Sequence, residues 1–167
     1  MLDGEDAMKI GVVSDTHGHT LGTLAAARML ESLELKTVLH CGDIGSTEIP
    51  QLLAQFDMHY VTGNVDYDRA ALGEAIERLG QHFYGRFGEI ELAGRKIALL
   101  HSDDHLRFRE VQLSGQYDLV CYGHTHQRLI EFQGKTMVLN PGAIYRASPH
   151  SIAMVDLATM EAEIIPL

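Results

Sequence analysis

Ile10-Gly11-Val12-Val13-Ser14-Asp15-Thr16-His17-Gly18-His19 is an apolar run that ends abruptly in a carboxylate, with an imidazole two residues on. Alternate residues of an extended segment point to one side, so a buried strand stopping at Asp-x-His puts an oxygen donor and a nitrogen donor at its mouth. Gly18 lets the chain turn away closely. The same residues would also serve a strand-to-helix turn, with the aspartate as a helix cap and the histidine exposed. A short motif is decided by its context.

The chain around it reads as alternating elements. Residues 9–14 form a buried strand, with β-branched Ile10, Val12 and Val13. A helix follows over 20–33, a strand over 37–41 stopped by Gly42-Asp43, and a helix over 48–55 with Pro50 in its first turn. A third strand, 58–61, ends at Thr62-Gly63-Asn64. This order implies right-handed parallel crossovers. Beyond it, 69–81 is helical or irregular. Hairpins are expected at 88–101 across Ala93-Gly94, at 128–139 across Gln133-Gly134 and at 151–165 across Leu157-Ala158-Thr159, with a short helix over 105–113 and a strand over 117–122. The expectation is one domain over 1–167, with 1–7 a loose N-terminal extension: an α/β first half and a β-rich second half, two sheets packed face to face with helices outside.

Composition narrows the function. The 167 residues are 46% hydrophobic and 22% charged, in the globular range. The acidic start Met1-Leu2-Asp3-Gly4-Glu5-Asp6 is unlike a secretory signal, and no run reaches membrane-spanning length, so a cytoplasmic protein without membrane contact is expected. Cys41 and Cys121 read as buried free thiols. A net charge of −10 argues against a long nucleic-acid partner. It leaves room for a small phosphorylated substrate, because bound cations reverse the local charge.

Five apolar strands each end in a potential ligand. Asp15 and His17 follow the first, Asp43 the second and Asn64 the third; His101 ends the strand 97–100, and His124 and His126 follow the 117 strand. In open α/β sheets ligands bind beyond the carboxyl ends of the strands, so these loops converge. Two carboxylates, one amide oxygen and four imidazoles are too many for one tetrahedral ion and suit two divalent ions sharing a carboxylate. Oxygen and nitrogen donors without thiolate favour Mn²⁺, Fe²⁺, Zn²⁺ or Ni²⁺. Two such ions, roughly 3.5–4 Å apart, can hold a bridging hydroxide and clamp a phosphoryl oxygen.

Asp15-x-His17, Gly42-Asp43, Gly63-Asn64, His101 and Gly123-His124-Thr125-His126, in this order, resemble the calcineurin-like metallophosphoesterases. The short chain and Asn140-Pro141-Gly142 look most like the small YfcE-like phosphodiesterase branch, and the resemblance runs from about residue 8 to the C-terminus. It implies a four-layer α/β/β/α sandwich of two mixed sheets with outer helices. It also implies a metal-dependent hydrolase acting through a metal-bridging hydroxide, with Mn²⁺ the first choice of ion. Asp15, His17, Asp43 and His126 would hold one ion, and Asp43, Asn64, His101 and His124 the other, with Asp43 bridging and His124 and His126 stabilising the developing charge.

The sequence departs from the family pattern twice. Val65 follows Asn64 where larger members carry a histidine, and His101 is followed by Ser102-Asp103 without a second imidazole. A proton for the leaving group must come from Asp103, His105, His19 or water, with Asp103 taken as the catalytic candidate. His19 and Arg146 are candidate substrate contacts, with a helix-start and a surface role as their alternatives. Asp66 would orient a ligand or cap a loop; His40, His59, His82 and His150 have no partner in any motif. The functions left are a phosphodiesterase acting on a small diester, a phosphomonoesterase, or a non-catalytic protein-interaction scaffold of the same fold. A scaffold would show eroded ligands, and all seven are present. Assembly as a homo-oligomer stays open.

Overall fold

Strand alternation sorts the apolar residues onto three buried layers in the computed structural model, which describes residues 8–167. The expected loose segment 1–7 lies outside the described residues. Strand β1 (Lys9–Val13) sends Ile10 and Val12 one way and Val13 the other. It pairs parallel with β2 (Thr37–His40), which pairs parallel with β3 (Asp57–Tyr60). On its other edge β1 pairs antiparallel with β10 (Ser151–Asp156), itself hairpinned to β11 (Glu161–Pro166). A two-residue strand, β4 (His82–Phe83), closes the far edge, giving the order β11-β10-β1-β2-β3-β4.

The second sheet has the order β5-β6-β7-β9-β8, built from β5 (Phe87–Leu92), β6 (Arg95–Leu100), β7 (Leu119–Cys121), β8 (Leu129–Gln133) and β9 (Thr136–Asn140). Ile10, Val12, Leu39 and Cys41 of the first sheet meet Leu99, Leu119, Cys121 and Leu139 of the second. The opposite face of the first sheet, with Val13, Val38, Met58 and Tyr60, is covered by α1 (Thr20–Ser32), α2 (Glu48–Leu52) and α3 (Arg69–Arg78) through Ala26, Leu30, Ile49, Leu72 and Ile76. The outer face of the second, with Ala98, Leu100, Val120 and Val138, takes Val111 of α4 (His105–Leu113). These are the four layers of the α/β/β/α sandwich. Cys41 and Cys121 are buried free thiols, and no helix among the described residues is long and apolar enough to cross a membrane.

Two local expectations change. The helix expected over 48–55 stops at Leu52, because the Leu53 and Ala54 amides bond three residues back and the tightened turn delivers Leu53 and Phe56 to the core. The undecided segment 69–81 is a helix capped by the Asp68 side chain, which accepts from the Ala71 amide at 3.0 Å, and it leads through Gly80 into β4. Two residues are too few for a periodic signal, so β4 is invisible in the sequence.

Candidate metal centre

The strand ends do converge, and the backbone bends sharply to make them do so. Asp15, His17, Asp43, His124 and His126 all have positive φ, between 47° and 72°. That region costs a side-chain-bearing residue energy and persists only when surrounding structure enforces it. Enforcement comes from loop-to-loop bonds: Asp15 N–H donates to Gly42 O (3.0 Å), His17 N–H to Asp43 O (2.9 Å), and Ile144 and Tyr145 N–H to Ser14 and Asp15 O (both 3.1 Å). Gly63 and Gly123 are required for a separate reason, close approach. A Cβ on Gly123 would lie 2.7 Å from Asp15 Oδ2 and nearer still to Ser14 Oγ, and one on Gly63 would meet the Asp43 carboxylate.

The donors face one another. Asp15 Oδ2 is taken by the Ser14 hydroxyl (2.6 Å) and the His124 amide (3.1 Å). Its Oδ1, buried and without a hydrogen-bond partner, is left toward His126 Nε2 (3.2 Å) and His17 Nε2 (3.6 Å). Asp43 Oδ1 accepts from the Val65 amide (3.0 Å), while Oδ2 lies 3.4 Å from His17 Nε2 and 3.1 Å from His101 Nε2, between the two halves of the cluster. Asn64 Oδ1 is 3.1 Å from His101 Nε2, and His124 joins Asp43 and His101 in a second group of close donors.

Second partners aim the rings. His101 Nδ1 lies 2.8 Å from Cys41 O and His126 Nδ1 3.3 Å from Arg146 O, so each carries its proton there and turns Nε2 inward. Burial alone would raise the Asp15 carboxyl. His126, His17, His101 and Ser14 outweigh it and hold the carboxyl well below the ordinary range. Burial is likewise overcome at Asp43, which His101 and the Val65 amide lower. Burial would lower His101, but Asp43 and Asp15 raise it; at His126 contact with Asp15 is the largest effect and raises it against burial.

These residues fit a pair of divalent ions. Neighbouring donors at bond lengths of about 2.0–2.2 Å stand roughly 3.0–3.5 Å apart in tetrahedral and octahedral shells, and the separations here run from 3.1 to 3.6 Å. Asp15 Oδ1 and His17 Nε2 are buried donors that no protein group satisfies.

The flanking residues separate. Asp66, buried, accepts from the amides of Ile44 (3.1 Å), Gly45 (2.8 Å) and Gly63 (2.8 Å), and so ties the loop after β2 to the loop after β3. Its bonds are those of a loop cap, and the amides it holds are those beside Asp43 and Asn64. His40 is fully buried and pushed down to about 4 by burial, its Nδ1 accepting from Gly42 N–H and its Nε2 3.0 Å from Thr16 Oγ1. It is a neutral strut beneath the site. His19 caps α1 through Nδ1, accepting from Gly22 N–H at 3.1 Å, with its ring beside Tyr145. The Arg146 guanidinium lies over the Tyr145 ring. Asp103 is paired with Arg86 at 2.6 Å. Arg86 and Tyr145 escaped the sequence reading; neither belongs to a motif, and only folding brings them to the cluster.

Residues 8–161 match the calcineurin-like phosphoesterase superfamily domain. The phosphodiesterase MJ0936 of Methanocaldococcus jannaschii is 31% identical over 138 residues, 81% of this chain and 83% of that protein. The solved structure of an archaeal phosphodiesterase superposes with a TM-score of 0.89 at 30% identity, covering 96% of this chain and 100% of that one. The phosphoesterase YfcE of E. coli superposes with a TM-score of 0.66 at 17% identity over 95% of this chain and 99% of its own, a likeness of fold.

Proposed function

The chain belongs to the calcineurin-like phosphoesterase superfamily, and from that premise we propose that it is a metal-dependent phosphodiesterase acting as one catalytic domain on a small diester. The carrying observation is the convergence of Asp15, His17, Asp43, Asn64, His101, His124 and His126, with Asp15 Oδ1 and His17 Nε2 buried and unpartnered. Asp15, His17, Asp43 and His126 would hold one divalent ion, Mn²⁺ in the first instance, and Asp43, Asn64, His101 and His124 would hold the other. Bound there, the two ions supply a nucleophile from water at neutral pH and neutralise charge on the phosphoryl oxygens.

The protein's own groups do the rest. Asp43 Oδ2 stands between the halves as the shared carboxylate, and the Val65 amide fixes its other oxygen. His124 and His126 line the place where charge develops on phosphorus. Arg86 holds Asp103, which stays the candidate to give the leaving group its proton in place of the histidine that larger members carry after Asn64. With Val65 after Asn64, no side chain there protonates a departing oxygen. General acid catalysis is worth about 10²–10⁴-fold, so diesters with good leaving groups are the preferred substrates. The two buried free thiols support a reducing, cytoplasmic setting.

The test is turnover of bis-p-nitrophenyl phosphate and of p-nitrophenyl phosphate by metal-stripped protein, before and after adding Mn²⁺, Ni²⁺ or Zn²⁺. Metal-dependent hydrolysis favouring the diester is expected, and no turnover with any ion would sink the enzyme reading. Full activity in Asp43→Asn would refute the shared carboxylate.

A further inference from the structure

A second cluster of metal-ligating side chains stands at the other end of β3. Asp57 opens that strand, whereas Asn64 lies beyond its far end. His59 and His82 are direct partners in the parallel β3–β4 pairing, so their side chains leave the sheet on the same face. Donor atoms of Asp57, His59 and His82 all lie within 4.8 Å of one another: Asp57 Oδ1 is 3.0 Å from His82 Nε2, and Asp57 Oδ2 is 3.6 Å from His59 Nε2.

A cross-strand hydrogen bond accounts for His82 and Asp57, but not for His59. That histidine is 5% exposed, and its Nε2 is buried without a hydrogen-bond partner while facing the Asp57 carboxylate. Its Nδ1 is 2.8 Å from the Tyr84 hydroxyl, which fixes the ring; in the tautomer where Nδ1 donates to that oxygen, Nε2 carries the lone pair. A buried nitrogen held in this way costs free energy unless something binds it.

We propose that Asp57, His59 and His82 form a separate binding site for one zinc-class divalent ion, which crosslinks the two-residue strand β4 to β3. Two imidazoles and a carboxylate are the donor set of borderline ions such as Zn²⁺, with a position left for water. Burial, with the neighbouring His82, holds the His59 imidazole below its ordinary range against the pull of Asp57, so its lone pair is free at neutral pH. The His59 and His82 rings are stacked, 12° from parallel with centroids 4.3 Å apart, which sets the two imidazoles side by side on one face of the sheet. His82 and Asp57, both about half exposed, are the groups free to turn onto the ion, with His59 as the fixed anchor. The ion would also steady the chain leading out of β4, where Gly85 O accepts from Thr62 N–H and Arg86 reaches Asp103.

The experiment measures zinc bound per chain by elemental analysis, after Zn²⁺ loading and removal of free metal by dialysis. His82→Ala and Asp57→Asn change half-exposed side chains and should leave the fold intact, as circular dichroism would verify. Each should bind one equivalent less than wild type and should lose part of the Zn²⁺-induced rise in Tm. Asp43→Asn, which damages the main cluster, should lose its metal there and still hold the equivalent that His82→Ala removes. Equal zinc content in wild type, His82→Ala and Asp57→Asn would overturn the proposal, whatever becomes of the phosphodiesterase assay.

Discussion

Removing the Asp66 carboxylate should damage both the fold and the metal site, although Asp66 is not itself among the converging donors. In Asp66→Ala three amides, of Ile44, Gly45 and Gly63, lose their acceptor at once. A hydrogen bond to a charged group is worth about 1.5–3 kcal/mol net. Water can reach the partly buried Gly45 end and recover some of this, so the expected loss is about 3–6 kcal/mol. A domain has roughly 5–15 kcal/mol in all. Ile44 and Gly45 directly follow Asp43, and Gly63 precedes Asn64, so the same change frees two donors from their positions. Disturbing supports of this kind costs about 10–100-fold in metal affinity. Urea unfolding of the metal-free protein at fixed pH reads the first effect, and calorimetric titration with Mn²⁺ reads the second. Asp66→Asn, which keeps one acceptor oxygen, should fall between. A loss below about 1 kcal/mol in Asp66→Ala with unchanged Mn²⁺ affinity would refute the account, since amides that cost so little to orphan cannot be what joins the loops.

Four further outcomes are expected. His101 and His126 have raised pKa values in the fold, so their contribution is complete below the unfolded value of about 6.5 and disappears as pH rises through the folded ones. Metal-free protein should therefore lose stability in urea melts as pH climbs above about 6.5, with a shallower slope in His126→Ala; a flat wild-type profile contradicts this. At the acid end the depressed Asp15 and Asp43 contribute above their unfolded values and fail as pH falls through the folded ones, giving acid unfolding that Asp15→Asn makes less steep. Gly123→Ala drives a methyl against Ser14 and Asp15, and should cost about 1–3 kcal/mol of stability together with measurably weaker Mn²⁺ binding; wild-type behaviour in both assays would show that the loop yields freely. Val65→His restores a titratable group beside Asn64, and should raise kcat on the monoester at least about 10-fold, short of the full range for general acid catalysis, with a smaller gain on the aryl diester; equal gains would mean that proton supply does not limit the monoester.

Much of this protein is local in origin and therefore legible along the chain. The short continuous apolar runs at Ile10-Gly11-Val12-Val13 and Ile97-Ala98-Leu99-Leu100, rich in branched residues and bounded by polar or turn residues, read as buried strands without help from anything distant. Because each such strand ends in Asp, Asn or His, the donors and their order follow from the sequence alone. His59 and His82 show the opposite case. They are 23 positions apart in no motif, and only the β3–β4 register stacks their rings. Asp66 likewise reads as an ordinary loop carboxylate until three amides from two loops are seen to point at it.

The sequence by itself determined most of the elements (β4 and the helical state of 69–81 excepted), the layer architecture and the identity of the converging donors, since hydrophobic periodicity and the chemistry of Asp, Asn and His are properties of neighbouring residues. Only the tertiary structure decided which oxygen of Asp15 is free, that Asp43 stands between the two halves of the cluster, that Asp103 is held by Arg86, and that a second donor cluster exists at the sheet edge. The physical reason is that these facts depend on directions as well as residue types. A lone pair's aim is set by positive-φ backbone turns and by hydrogen bonds between loops far apart in the chain, and no residue carries that information until the sheets have packed.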